Sequence, residues 1–351
     1  MSVCAHAGNL RPIEHCPRLL GQLFLWLLLL VGIPPEVLAH DPVALLERMA
    51  EASHLLNYDG VFIYRRAGAS DSMRIIHRSS REGDSERLLT LSGQSREVVR
   101  DQEGTRCFLP DTGEVLFLQR APRPLMPTEI TRPWSQLGEF YTFNLEGEDR
   151  VAGRPARVVS VNPRTPDRYG YRLWLDVASG LLLRSELVNG EGVVLEQVEF
   201  LTLDLPTHIP DEHLRPSRPP GAKVEAAATV AVPANTGANS STGGDAPRPA
   251  VPQTRWRAGW LPVGFRLERV QHLSHGPDGP PFEHLAFSDG LAVLSVFVEP
   301  AAHGSAGASG FSVLGAAVAF STGSDGHTIT VVGEAPPLTV RRVAEGMTHS
   351  R

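Results

Sequence analysis

Residues 151–200 constrain this chain more than any other stretch, because short apolar runs there alternate with turn chemistry. They read VAGRPARVVSVNP, RYGYRLWLDVASGLLLRSELVN and GEGVVLEQVEF, broken at Asn162-Pro163, Ala178-Ser179-Gly180 and Asn189-Gly190-Glu191-Gly192. Runs rich in Val, Leu, Tyr, Phe and Trp, punctuated in this way, form an antiparallel meander. Along one strand Tyr171, Leu173 and Leu175 alternate with Arg172, Trp174 and Asp176, so both faces carry large side chains. Such a sheet lines something apolar, whether a core, a ligand or a partner.

Upstream, Asp41-Pro42 opens a helix, with Asp as cap and Pro at its first position. Leu45, Leu46, Met49, Ser53 and Leu56 then fall near one face, which predicts an amphipathic helix of about 14 residues. Tyr58-Asp59-Gly60 turns into strands expected at 61–65, 73–78, 87–91, 97–100, 107–109 and 115–118, each bounded by Gly, Ser or Asp. Together with the meander this makes one antiparallel sheet of about nine to eleven strands, large enough to curl. Between the two groups, prolines 122, 124, 127 and 133 interrupt residues 121–143, leaving a short helix at 134–140. This excursion either covers the open side of the sheet or crosses it as a loop.

From 216 to 254 the chain is largely Pro, Ala, Gly, Ser and Thr with no aromatic residue, a composition that buries too little to fold alone and reads as a linker. Trp256 restarts order. Strands are expected at 266–273, 282–288, 291–299, 313–320 and 327–332, with Asp289-Gly290 as a hairpin turn, a Gly/Ala/Ser loop at 301–310 and a closing helix at 336–346. The organisation is therefore 1–39 leader, 40–215 large domain, 216–254 linker, 255–346 small α+β domain and 347–351 tail.

The leader follows from Arg11 and Arg18 ahead of a 15-residue apolar run at 19–33, then Val37-Leu38-Ala39. This is the pattern of a secretory signal cut after Ala39, and the run falls short of the ~20 residues that span a bilayer. Cleavage would remove Cys4 and Cys16, leaving Cys107 alone, so no internal disulfide frames the mature chain. No second long apolar run follows, and no membrane span is expected after cleavage. A net charge of −6, with Lys223 the only lysine, provides no basic excess for nucleic acid.

Reactive chemistry is sparse. GxSxG, Walker A and GxGxxG are all absent. His272 and His275 have no Cys or acidic ligand set beside them, so no metal site is expected. His77 sits mid-strand in RIIHR, and Cys107 in CFLP reads as a small buried side chain. Glu146 and Glu148 fall in the turn-like EGEDR, a solvated loop. With no catalytic residue and no cofactor expected, binding is the preferred activity. Cavity-lining candidates are Phe62, Tyr64, Leu89, Phe117, Tyr171 and Leu173, with Trp134 and Phe140 above them. Arg266, Arg269 and Phe297, on strands where Arg flanks aromatic residues, are candidates for a protein interface.

Several motifs add a resemblance. Tyr58-Asp59-Gly60-Val61-Phe62-Ile63-Tyr64, the run 86–93 (ERLLTLSG) followed by Arg96-Glu97-Val98-Val99-Arg100, and Val151-Ala152-Gly153-Arg154-Pro155-Ala156 are followed by Tyr169-Gly170-Tyr171 and Trp260-Leu261-Pro262 with Gly264-Phe265. Asp289-Gly290-Leu291-Ala292, the run 295–300 (SVFVEP) and Val331-Val332-Gly333-Glu334 complete the set. In this order, over nearly the whole mature chain, they resemble the RseB/MucB family. The resemblance implies an α+β protein: a large half-open antiparallel β-barrel of the LolA/LolB type with covering helices, plus a smaller α+β domain. It also implies a periplasmic negative regulator that binds the periplasmic part of a membrane-spanning anti-sigma factor of the RseA/MucA type. Binding would shield that factor from site-1 proteolysis until lipid or lipopolysaccharide releases it. A lipid or lipoprotein carrier and an exported hydrolase stay open as alternatives, as does a homo-oligomer.

Overall fold

The structure is a computed structural model that describes residues 41–109, 114–118 (as backbone), 127–128, 130–217, 254–275, 279–301 and 309–350. The leader, most of the linker and most of the 301–310 loop lie outside these residues, so those expectations are not addressed by it.

Helix α1 (Pro42–Leu55) leads into an eleven-stranded sheet. Its strands are β1 (Tyr58–Arg66), β2 (Ala69–Arg78), β3 (Ser85–Thr90), β4 (Glu97–Asp101), β5 (Gly104–Leu109), β6 (Glu114–Leu118), β7 (Tyr141–Val151), β8 (Arg154–Pro163), β9 (Gly170–Asp176), β10 (Leu182–Val188) and β11 (Val194–Asp204). The order is β6-β5-β4-β3-β2-β1-β11-β10-β9-β8-β7, so two meanders meet where β1 pairs antiparallel with β11. Two of the predicted breaks, 178–180 and 189–192, fall between strands, whereas Asn162 and Pro163 are the last two residues of β8 and still pair with Thr142 and Tyr141 of β7. At the last break Asn189 Oδ1 accepts from the backbone N–H groups of Glu191 and Val193. The sheet curls: β7 and β11 touch although four places apart, a separation of roughly 19 Å in a flat sheet.

The short helix α2 (Trp134–Leu137) ends three residues earlier than expected, and a turn carries the chain to Phe140, whose N–H donates to the Leu137 carbonyl. The run 146–150, expected as a loop, lies instead inside β7. Its charges are exposed, as expected, but the backbone continues to pair with β8 through a bulge between Leu145 and Gly147, and Gly147 has φ of 142°. Charge on a solvent-facing edge strand hides the alternation by which a strand is recognised.

Past helix α3 (Asp211–Leu214) and the linker, β12 (Trp256–Ala258) pairs with β19 (Met347–His349), so the expected tail begins with a strand. Between them lies a six-stranded antiparallel sheet. It comprises β13 (Arg266–Ser274), β14 (Pro281–Ser288), β15 (Val293–Pro300), β16 (Gly310–Leu314), β17 (Ala317–Ser324) and β18 (His327–Gly333), in the order β13-β14-β15-β18-β17-β16. The single strand expected at 313–320 is a hairpin, because Gly315 takes φ of 63° and reverses the chain. Helix α4 (Pro337–Glu345) buries Val340, Val343 and Ala344 against one face of this sheet.

Leu173 is fully buried in the core cluster shared by α1, α2, β8 and β9. Leu173→Ala is therefore expected to lose ~2–5 kcal/mol of unfolding free energy in a urea titration, with little change in slope.

Candidate functional site

Two regions have the character of a site. One is the apolar interior under α1 and α2. Leu46 and Met49 of α1 and Trp134 and Leu137 of α2 share a cluster with Phe140, Tyr141, Val159, Val161, Tyr171, Leu173 and Leu175. Polar ties hold α1 down: Arg48 donates to the carbonyls of Val177 and Ala178, and Ser135 N–H donates to Glu47. Trp134 is completely buried, yet its indole N–H has no hydrogen-bond partner among the described residues.

The other region is the junction of the two sheets. At its centre Arg168, from the β8–β9 connection, forms an ion pair with Asp289, from the β14–β15 turn; their side chains are 1% and 0% exposed. Tyr141 Oη donates to Asp289 Oδ2 at 2.9 Å, while Asp289 Oδ1 accepts from the N–H groups of Leu291 and Ala292. Arg168 also donates to the Val263 carbonyl, and its guanidinium lies 5.2–5.6 Å from the rings of Phe140, Tyr141 and Phe265. The turn fits tightly: Gly264 has φ of 92°, and a Cβ there would lie 2.5 Å from the Phe140 ring. Thr131 N–H donates to the Gly290 carbonyl, adding a main-chain tie.

A second bridge crosses the junction at Glu196 of β11. Its carboxylate accepts from Tyr64 Oη at 2.7 Å and from the backbone N–H of Ala316, in the β16–β17 turn, at 3.0 Å. Burial pushes the Glu196 carboxyl above its ordinary value and Glu334 adds to this, against the opposing effect of its two hydrogen bonds. Burial and the bond to Glu196 likewise raise Tyr64.

The cavity candidates are divided by the curl. Trp134, Phe140, Tyr171 and Leu173 come together in the cluster under α1. Phe62 and Tyr64 belong to a neighbouring cluster with Phe200 and Trp174, and Leu89 packs on Ile76, Ile209 and Leu214. Phe117 is in β6, where only backbone is described. Arg266, Arg269 and Phe297 share, by register, the small-sheet face away from α4: Arg266 is opposite Ser288, Arg269 opposite Ala286, and Phe297 opposite His284. Arg266 pairs with Glu268, and Phe297 stacks on His284 at 4.6 Å.

Sequence reading missed Arg168, Tyr141, Glu196 and Asp289 as junction residues. Only Asp289-Gly290 gave a signal, and it was one for a turn. His77, buried, stacks on Tyr58 and contacts the Leu56 carbonyl through Nδ1 at 2.9 Å. Cys107 is a buried free thiol whose pKa is raised by burial, the opposite of a reactive thiolate. Among the described residues no His, Cys, Asp and Glu group could hold a metal.

A curled sheet with an apolar interior, locked to a second, smaller sheet, defines a two-domain α+β protein with covering helices. Family models place it further: the MucB/RseB N-terminal domain matches residues 41–218 and the MucB/RseB C-terminal domain residues 250–348. The chain belongs to the MucB/RseB family. It is 37% identical to the sigma factor AlgU regulatory protein MucB of Pseudomonas aeruginosa, over 91% of this chain and 95% of that protein. The sigma-E factor regulatory protein RseB of Escherichia coli K12 is 28% identical over 87% of this chain and 89% of its own length. A solved complex of Pseudomonas aeruginosa MucA and MucB contains a chain that is 34% identical, with a TM-score of 0.68, covering 89% of this chain and 99% of that one. The relatives are named as regulatory proteins.

Removing one partner of the buried pair leaves an uncompensated charge, so Asp289→Ala is expected to lose roughly 3–5 kcal/mol in denaturant unfolding. At Glu196 the raised pKa adds stability that is complete below the ordinary value of 4.5 and is lost as pH rises through the raised value. Unfolding midpoints taken over roughly pH 4 to 8 should show this loss as a difference between the wild type and Glu196→Gln, which removes the charge and keeps one of the two acceptor oxygens.

Proposed function

We propose that this protein is a periplasmic negative regulator of envelope-stress signalling, binding the periplasmic region of a membrane-spanning anti-sigma factor. Bound there, it shields that factor from site-1 proteolysis, and the cytoplasmic sigma factor stays sequestered. The observation that carries this reading is the end-to-end match, in both domains and in order, to regulators of which one has been solved with its MucA partner. The protein acts by binding, without catalysis. Arg266, Arg269 and Phe297 are proposed partner contacts on the small sheet.

Lipid or a lipopolysaccharide fragment is proposed to enter the apolar interior under α1, where Trp134, Phe140, Tyr171 and Leu173 meet. Phe62, Tyr64, Leu89 and Phe117 are proposed to extend the lining. The Trp134 indole N–H, unpaired among the described residues, supports this reading, since a buried donor without a partner costs about 1–3 kcal/mol and a ligand carbonyl would satisfy it. Lipid binding that favours another arrangement of the domains lowers partner affinity by its differential binding energy.

Calorimetric titration of the mature protein with the periplasmic region of the anti-sigma factor tests this directly. Saturable binding that protects the segment from its protease is expected, with affinity falling about 5–150-fold when a lysophospholipid or lipopolysaccharide fragment is added. Absence of binding would overturn the regulator reading; binding indifferent to lipid would overturn only the release step.

A further inference from the structure

The small sheet is guarded at one edge and unfinished at the other. On its α4-facing side one side chain per strand lines up in cross-strand register: Val270, Leu285, Val296, Val331, Phe320 and Phe311. The first five are at most 7% exposed, whereas Phe311 is 48% exposed. A second row runs through Leu294, Gly333 and Val318 to Val313, and exposure rises from 1% at Val318 to 60% at Val313. Both rows reach β16 and end with a large apolar side chain in water.

Native sheets guard their edges with charge, proline or bulges, because an open edge pairs with any extended chain. Of the three edges of the two larger sheets whose side chains are described, two are guarded in this way. β7 carries exposed Glu146, Glu148, Asp149 and Arg150 beside a bulge, and β13 carries Arg266, Glu268 and Arg269 beside another. β16 reads GFSVL, without charge or proline, is exposed at all five positions and runs in unbroken register with β17. Among the described strands it pairs with β17 alone.

We propose that β16 is a main-chain docking edge, to which an extended, uncharged segment of the partner adds as a seventh strand, its alternate apolar residues covering Phe311 and Val313. This rests on the reading that the partner is a polypeptide, the anti-sigma segment. Backbone pairing supplies affinity in such additions, and alternate side chains supply register. One strand is enough to finish both rows. The edge also adjoins the junction, since the turn that follows β16 places Ala316 N–H on Glu196 and Gly315 against Arg66. A strand added there lies next to the bridge between the sheets.

The test uses the mature full-length protein and labelled peptides tiling the partner's periplasmic region, read by fluorescence anisotropy. Phe311→Lys and Val313→Lys place a guarding charge at exposed positions, and Leu338→Lys, on exposed Leu338 of α4, is the control. The two edge variants are expected to bind about tenfold or more weakly, with the control unchanged and unfolding midpoints unmoved. Amide exchange of residues 310–314 in the wild type is expected to slow on adding the bound peptide, a readout that does not depend on any variant folding. Folded edge variants that bind like the wild type, or 310–314 amides that stay unprotected, would overturn the proposal. So would a change of oligomeric state in the variants at constant peptide affinity, which would make a second copy the occupant. If the wild type binds no peptide at all, the regulator reading falls as well.

Discussion

The structure depends most on a charge pair that water does not reach. Arg168 and Asp289 come from loops of different sheets, and each is held from several sides: Asp289 by Tyr141 and two backbone N–H groups, Arg168 by the Val263 carbonyl and three aromatic rings. Removing two ions from water offsets much of their attraction, so such a pair contributes geometry more than net stability. Its effect is to make one docking of the sheets far better than its neighbours, because a small slip leaves a buried charge unpaired. The close approach of Gly264 to Phe140 reinforces this, as larger side chains would hold the turn away.

Much of the fold was legible because its signals are local. Turn residues delimit the meander at 162–163, 178–180 and 189–192, and Asp41-Pro42 marks the helix start, with the helix running Pro42–Leu55. What stayed hidden depends on partners distant in sequence. β7 carries too many charges to show a period of two, and β16 and β17 are divided by Gly315-Ala316, which carries no strong turn dipeptide. Of the candidate residues, Phe62, Tyr64, Tyr171 and Leu173 are buried, but so are Trp174 and Asp176 on the other face of β9, so alternation there singles out no inward side. The division of the candidates between two clusters follows from the curl, which no local pattern encodes. Arg168 and Asp289 were invisible as a pair, because a lone Arg in a loop and an Asp before Gly look like ordinary surface residues until the second sheet covers them.

The placement of these parts explains how a ligand in one sheet could be read by the other. Trp134, Phe140 and Tyr141 follow one another along a single segment. Trp134 lies in the interior under α1, Phe140 touches both the Arg168 guanidinium and the Gly264 turn, and Tyr141 donates to Asp289. A molecule that enters the interior must move Trp134 or its neighbours, because every side chain of that group is already packed. Trp134 lies seven residues before Tyr141, whose hydroxyl donates to Asp289. A packed core and a buried ion pair respond in steps rather than gradually, so the junction is suited to two states rather than a continuum.

Energy sets the scale of the proposed coupling. A coupling of about 1–3 kcal/mol changes partner affinity 5–150-fold, and a buried pair whose disruption costs roughly 3–5 kcal/mol can supply it only if the ligand weakens the pair without breaking it. Glu196 fits such partial adjustment. It bridges Tyr64 of the large sheet to Ala316 at the small sheet's open edge while remaining half-buried, so it can exchange a protein donor for water at a smaller cost than Asp289 can. The two bridges thus differ in kind: the Arg168–Asp289 pair fixes which surfaces meet, and the half-buried Glu196 contact ties the turn after β16 to the larger sheet.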